Sequence, residues 1–452
     1  MHTHKPARRH FLRLSSRLAA LGLTGLGLGP SRSWFVTDAS AAPVNDYKAL
    51  VCIFLFGGND GNNMVVPVDT ASFAAYTSLR AGVALAPGRL LAPIGTDAGG
   101  VPCAMNNNLT ELNSGYGLGK LAIVLNTGSL ERPLSRAQYQ QGLQAPANLF
   151  SHSDQQLQAQ TATSQNVTSG GWGGRLLDVF GVNDTLGAVS VSSPAMFLQS
   201  GGGAPNVIPP GANLALSGMS FSPAAAADAR KAAVAAMLAL DGGNPLRAAA
   251  NDAFADGLQL AQTLAGTGAA SQINTVFPGN GLGTQLKQVA QLIKLRSQIG
   301  PGRQVFFCSM NGFDTHTSQD GNHSSLMREL SSAMGAFYLA TEEIGLPNNV
   351  TAFTQSDFGR TFQPNGSGTD HAWGNQQFVL GGGVRGGIYG RTPVLALGGP
   401  DDSGDRGAWI PTIGTSQYGA TLGRWFGASP GELAVTFPNL ANFSTTDVGF
   451  ML

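Results

Sequence analysis

From residue 49 to residue 56 the chain reads Ala-Leu-Val-Cys-Ile-Phe-Leu-Phe, with no polar side chain, and then breaks at Gly57-Gly58. The run shows no apolar–polar alternation and is rich in β-branched and aromatic residues. It predicts a strand buried on both faces, as in a parallel sheet. Similar apolar runs lie at 121–125, 188–191, 305–310, 350–354 and 378–380. Between them, 152–164, 223–240, 248–264, 284–295 and 326–344 have the length and composition of helices. Strands that alternate with helices predict an α/β domain: a doubly wound, mostly parallel sheet with helices on both faces. Ligands of such sheets bind beyond the carboxyl ends of the strands. Residues 43–452 read as a single domain. Within it, 200–222 is Gly-, Pro- and Ser-rich and reads as a loop or boundary. The Ala-rich stretch 223–300 suggests a helical insertion, and 427–452 a peripheral tail. No internal repeat is visible.

The first 42 residues follow a different pattern. Arg8-Arg9-His10-Phe11-Leu12 opens a basic segment, a Gly-interrupted apolar run follows from Leu18 to Gly29, and Ala39-Ser40-Ala41 offers small residues at cleavage-site spacing. These parts make an export signal, and the paired arginines are similar to a twin-arginine signal. The expectation is passage through the twin-arginine export machinery to the periplasm or the cell exterior. The run is shorter than the ~20 apolar residues that a membrane span needs, and no later stretch resembles one.

Composition narrows the function classes. The chain of 452 residues carries 26 Lys+Arg and 26 Asp+Glu, so its formal net charge is zero. Without residues 1–42 it is left with 20 basic and 25 acidic residues. There is no basic surplus to follow a phosphate backbone, which argues against nucleic-acid binding. Charged residues are 12%, about half the usual ~25%. The three cysteines, Cys52, Cys103 and Cys308, form no C-x-x-C pattern, so a thiolate zinc site is excluded.

The candidate chemistry sits where strands are expected to end. Of seven histidines, three (His2, His4, His10) fall in the export segment, leaving His152, His316, His323 and His371. Asp60 follows the first strand in a Gly/Asn-rich turn, where it either bonds its own backbone or aims at the crevice. Asp314 and His316 follow the run 305–310. They either converge on one metal, or Asp314 orients His316. Asp357 and Arg360 follow 350–354; Arg360 suits bidentate capture of a phosphate, sulfate or carboxylate, or pairs with Asp357. His371 lies in a polar loop before the last strand. Ser151 is a natural N-cap and precedes His152 at a helix start, a position that also faces anions. His323 has no strand before it and reads as a surface or supporting residue. Mixed Asp and His ligands suit zinc or manganese better than calcium. The residues therefore predict a divalent metal on Asp60, Asp314, His316, Asp357 and His371, and hydrolysis of a phosphate or sulfate ester. Ser151 would attack, or His152 would act as base or acceptor, with Arg360 holding the anion.

The motifs Leu55-Phe-Gly-Gly-Asn-Asp-Gly-Asn-Asn63, Ser151-His152, Phe313-Asp-Thr-His316, Ser356-Asp-Phe-Gly-Arg-Thr361, Gly368-Thr-Asp-His371 and Gly381-Gly-Gly-Val-Arg-Gly-Gly387 resemble the bacterial family called domain of unknown function 1501. That family is similar to the alkaline phosphatase and sulfatase superfamily, which implies a large α/β fold with metal at the strand ends. The resemblance implies Asp60 and Asp357 on one metal, and Asp314, His316 and His371 on another. The chain departs from the phosphatase pattern in three ways. Phe358 stands where a histidine ligand is expected, the 314–316 spacing is short, and no nucleophile motif is evident. A second reading is therefore a non-catalytic exported protein that binds an anion or polysaccharide through a degenerate metal site. A third is a surface structural protein.

Overall fold

The computed structural model describes residues 46–164, 170–182, 186–201, 205–211, 218–240, 242–265, 268–296 and 302–452. The export segment, with the expectations placed on it, lies outside the described residues. Twelve strands follow in chain order: β1 Lys48–Leu55, β2 Val65–Pro67, β3 Gly95–Thr96, β4 Pro102–Met105, β5 Leu121–Gly128 and β6 Ala188–Ser190. After these come β7 Asn206–Val207, β8 Arg303–Met310, β9 Val350–Ser356, β10 Asn375–Gly381, β11 Gly387–Tyr389 and β12 Ile413–Gly414. Strands β2, β3 and β4 make a small antiparallel sheet. The other nine form one sheet in the order β11-β5-β10-β9-β1-β8-β6-β7, with β12 also on β5.

The apolar run at 49–56 becomes β1, at the middle of this sheet. It pairs in parallel with β8 on one side and β9 on the other, so Cys52 sits between Phe307 and Phe353. Only β10 runs against its neighbours, β5 and β9; the remaining pairings are parallel. The architecture is thus mixed α/β with a large, mostly parallel sheet, as expected from the pattern.

Alternate residues of β1 enter two cores, because successive side chains of a strand point to opposite faces. Ala49, Val51, Ile53 and Leu55 join a cluster with helices Gly281–Lys294 and Gln319–Glu343, through Leu286, Val289, Met334 and Phe337. Leu50, Cys52 and Phe54 join the other cluster, built on helices Trp172–Val179 and Thr415–Phe426. Helices therefore cover both faces, which is why no strand here needs a polar side. All three cysteines are buried free thiols.

Two stretches differ from expectation. Residues 427–452 are no peripheral tail: Leu433, Phe437, Leu440 and Phe450 are buried in the second core. Their apolar residues are widely spaced in sequence and meet only through the short helices Pro430–Thr436 and Pro438–Asn442. The segment 200–222 contributes β7, which pairs in parallel with β6 at the sheet edge. In the Ala-rich region, helices Ala224–Leu238 and Pro245–Ala265 stand largely exposed between β7 and β8, whereas Gly281–Lys294 packs into the core. Among the described residues, no helix is long and apolar enough to cross a membrane.

Of the two readings of His323, surface or supporting, the structure excludes the surface one. It lies inside helix Gln319–Glu343, is buried, and its Nε2 bonds Asn59 Oδ1 at 3.1 Å. Burial holds its pKa down to about 4, from an ordinary value of 6.5. Between those pH values the unfolded chain binds more protons than the fold, so stability falls as the pH drops from about 6.5 to about 4. The loss approaches ~3 kcal/mol. We expect His323→Gln, which can still donate to Asn59, to remove that part of the slope. Urea unfolding of both proteins in chelator across this range checks it; parallel curves refute it.

Candidate functional site

The carboxyl ends of β1, β8 and β9 and the amino end of β10 lie at the same edge of the sheet, because β10 is antiparallel. The loops that leave these ends carry the candidate residues. Two glycines allow the loops to close on one another. Gly57 has φ +111°, and a Cβ there would stand 2.5 Å from Asp314 N. A Cβ on Gly368 would meet the His316 carbonyl carbon at 2.2 Å. Either side chain would force the loops apart.

Three imidazoles share one mode of attachment. His152 Nδ1 bonds Asp357 Oδ2 at 2.7 Å, His316 Nδ1 bonds Asp370 Oδ1 at 3.0 Å, and His371 Nδ1 bonds the Phe150 carbonyl at 2.8 Å. A carbonyl or an ionised carboxylate only accepts, so each Nδ1 carries a proton, and in the neutral ring each Nε2 then presents a lone pair. Phe150 offers its carbonyl from a left-handed conformation, φ +71°, which a non-glycine residue adopts only under constraint.

The Nε2 atoms converge. His316 Nε2 lies 3.1 Å from His371 Nε2 and 3.0 Å from Asp314 Oδ1; His371 Nε2 lies 3.3 Å from the same oxygen. His152 Nε2 is 3.5 Å from Asp314 Oδ2. It is buried without a hydrogen-bond partner among the described residues. His152, Asp314 and His371 each offer a ligand atom within 4.8 Å of the others. Lone pairs this close repel one another unless a cation or a proton lies among them. Zinc bonds of about 2.0–2.1 Å at tetrahedral angles put ligand atoms ~3.3 Å apart, which is close to the separations here.

Electrostatics follow the same contacts. Burial pushes the Asp314 carboxyl up. The hydrogen bond and charge of Arg360, followed by His316 and His152, outweigh this and hold it below the usual range. Burial lowers His371, which favours its neutral, ligating form. The bond to Asp357 raises His152 against the opposing effect of burial. Phe358 packs on both rings, with centroids 4.8 Å from His152 and 4.8 Å from His371.

Not every expected ligand joins the cluster. Asp314, His316 and His371 do, and His152 approaches them. Asp357 supports rather than joins: its oxygens are taken by His152 Nδ1, Gln156 Nε2 at 2.8 Å and the Gly57 N–H. Asp60 is buried in an ion pair with Arg80, and also accepts from Gln319 Nε2 at 2.5 Å and from Asn62. Unlike the half-exposed Asp314, which shares one oxygen with Arg360, Asp60 is sealed from solvent with both oxygens spent on these donors.

Arg360 is wholly buried. It donates to Asp314 Oδ1 at 2.8 Å, to Gly57 O at 3.1 Å and to both oxygens of Thr369, so it holds Asp314 in place rather than an incoming anion. Ser151 Oγ bonds Asp154 at 2.5 Å and Ser153 at 3.1 Å, not an imidazole. Sequence reasoning missed Asp370, although it adjoins His371. It also missed Arg80, Gln319, Gln156 and the Phe150 carbonyl, none of which carries a local signal.

These features define a mixed α/β protein with a histidine–aspartate cluster at its strand ends. The chain belongs to the family described as protein of unknown function (DUF1501), whose sequence profile matches residues 47–402. Every member of the cluster lies inside the matched span. No curated protein matches the chain significantly. Among solved structures, "Crystal structure of Ps i-CgsB in complex with k-i-k-neocarrahexaose" aligns over 88% of this chain and 77% of its own. Identity is 10% and the TM-score 0.34, a likeness that carries no argument.

The Asp60–Arg80 pair generates a stability prediction. Both side chains are fully buried, so Arg80→Leu strands a carboxylate and should cost about 3–5 kcal/mol. Adding Asp60→Asn should recover most of that loss. Urea denaturation of the single and double variants measures both; equal stability of Arg80→Leu and wild type refutes the assignment.

Proposed function

We propose that the protein is an exported, metal-dependent hydrolase of a phosphate or sulfate ester, with one divalent ion at the cluster. One observation carries the reading: three acceptor atoms, Asp314 Oδ1, His316 Nε2 and His371 Nε2, meet within 3.3 Å. The donor set suits zinc or manganese. The orphaned His152 Nε2 fits the same conclusion, since a buried lone pair facing this point needs a cation or a proton to accept it. Carboxylates behind the imidazoles, Asp370 on His316 and Asp357 on His152, are the supporting contacts that metal-ligating histidines usually have.

The strand-end position supports an alkaline phosphatase- or sulfatase-like arrangement reduced to a single ion. Arg80 neutralises Asp60, and Phe358 presents a ring where a second ion would need a ligand. When bound, the ion supplies Lewis-acid polarisation of the ester and of water. Asp314, His316 and His371 would hold it. His152 Nε2 takes the proton from the attacking water, while Asp357 keeps Nδ1 protonated and stabilises the imidazolium. Arg360 fixes the Asp314 oxygen. The position of Ser151, held by Asp154, favours water over a serine nucleophile.

That same position favours a second reading, a non-catalytic exported protein that binds an anion or polysaccharide at this cluster. Metal analysis with turnover assays separates the two. Protein purified without refolding should carry or take up about one equivalent of zinc or manganese. Asp314→Ala and His371→Ala should each lose it; retention in both refutes the ligand set. Metal-loaded protein should cleave aryl phosphates or aryl sulfates, with activity lost in His152→Ala. Metal retention without turnover supports the binding reading.

Export rests on the Arg8-Arg9 signal and on the polar, metal-suited character of the cargo. Arg8→Lys with Arg9→Lys should leave the precursor inside the cell by fractionation; unchanged secretion refutes twin-arginine passage.

A further inference from the structure

The cluster has an open side. Asp314, His316 and Asp370 line it, with side chains 46%, 42% and 31% exposed. Two arginines touch this acidic rim, and they differ. Arg360 is sealed, with its donors spent on protein oxygens. Arg406 is 39% exposed, and its NH1 donates to Asp370 Oδ2 at 2.6 Å. That is the one bond its side chain makes among the described residues.

A guanidinium carries five N–H donors in a rigid plane, so one bond to Asp370 leaves donors for a second anion. The carboxylate does not simply cancel it. Asp370 also accepts from His316 Nδ1 and from Asn365 Nδ2 at 2.6 Å, so its charge is shared among three donors.

The backbone that presents Arg406 is fixed. Gln363 N bonds the Arg406 carbonyl at 3.0 Å, and Phe362 N bonds the next carbonyl at 3.1 Å. The buried Asp402 carboxylate accepts from four N–H groups of the same loop, on Gly398, Gly404, Gly407 and Ala408. A cation on so constrained a loop is preorganised for a ligand, and it stands two hydrogen bonds from the His316 ring.

We infer that Arg406 is the anion-binding residue at the mouth of the cluster, gripping phosphate or sulfate oxygens of the substrate. It takes the role that sequence reasoning gave to Arg360, and it lies just beyond the residues matched by the family profile. The ester class rests on the hydrolase reading. The anion contact does not require the metal, so the two fail separately.

The test is calorimetric titration of inorganic phosphate and, separately, sulfate at pH 8. Each is run into chelator-treated and zinc-loaded protein. Wild type should bind at least one anion in both preparations. Arg406→Gln should weaken that binding at least tenfold in both, Arg406→Lys should recover part of it, and Arg424→Gln, in a pair with Asp447 outside this loop, should leave it unchanged. Zinc content and melting temperature of Arg406→Gln should match wild type. Preference for phosphate or for sulfate then names the ester. Wild-type affinity in Arg406→Gln, absence of anion binding in wild type at millimolar concentration, or loss of zinc in the variant overturns the proposal. Arg406-dependent binding in a protein that takes up no metal supports it and removes the metal reading alone.

Discussion

The Asp314 carboxylate is the point on which the strand-end structure turns. Its Oδ1 lies beside two imidazole nitrogens, and with both rings neutral all three atoms present lone pairs that call for a cation or a proton. The fold holds them together regardless. Arg360 anchors the oxygen, and Arg360 is itself fixed by Thr369. Thr369 donates to Gln319 Oε1 at 2.5 Å, Gln319 donates to Asp60, and Asp60 is neutralised by Arg80. This chain, buried from Arg360 to Arg80, joins three loops, the start of helix Gln319–Glu343 and the end of helix Thr70–Leu79. Gln319 is suited to its middle because an amide donates and accepts at once, whereas a glutamate at neutral pH would only accept and would face Asp60 with like charge. A convergence of acceptors that costs energy when empty persists only where its surroundings over-determine it.

The sheet supplies that over-determination. β1 is paired on both edges and packed on both faces, so the loop after Leu55 starts from a position with no freedom. The loops from β8 and β9 start from its two neighbours. Three parallel strands therefore deliver Gly57, Asp314 and Asp357 side by side, and the antiparallel β10 returns His371 to the same edge. The helix that begins at His152 adds a further imidazole to this edge, bonded to Asp357.

Much of this was legible in the sequence. Continuous apolar runs announce strands buried on two faces, and residues just past them must lie at one edge. That logic found Asp314, His316, Asp357 and His371. It failed where a side chain's role depends on a partner without a local signature. Asp60 looks like a ligand until Arg80, twenty residues on in a different element, is placed against it. Arg360 looks like an anion anchor until burial shows its donors consumed. The Phe150 carbonyl carries no side-chain signal at all. The buried aromatic residues after 427 are too sparse for any periodicity to reveal, and only their meeting with Trp172 and Tyr418 makes them core.

On the proposed one-ion reading, Phe358 and Arg80 belong together. A ring stacked near His152 and His371 excludes water from one side of both imidazoles. A histidine there would have needed its own acceptor and would have added a further lone pair to an already crowded point. The Phe358 ring lies against Gly58, in the loop that carries Asp60. A buried carboxylate without a counter-charge is costly, so the fold must provide one. Arg80 provides it permanently, in a pocket closed to solvent. One aromatic residue and one guanidinium thus bear on the same proposal: a centre for one ion, facing the rim where Arg406 stands.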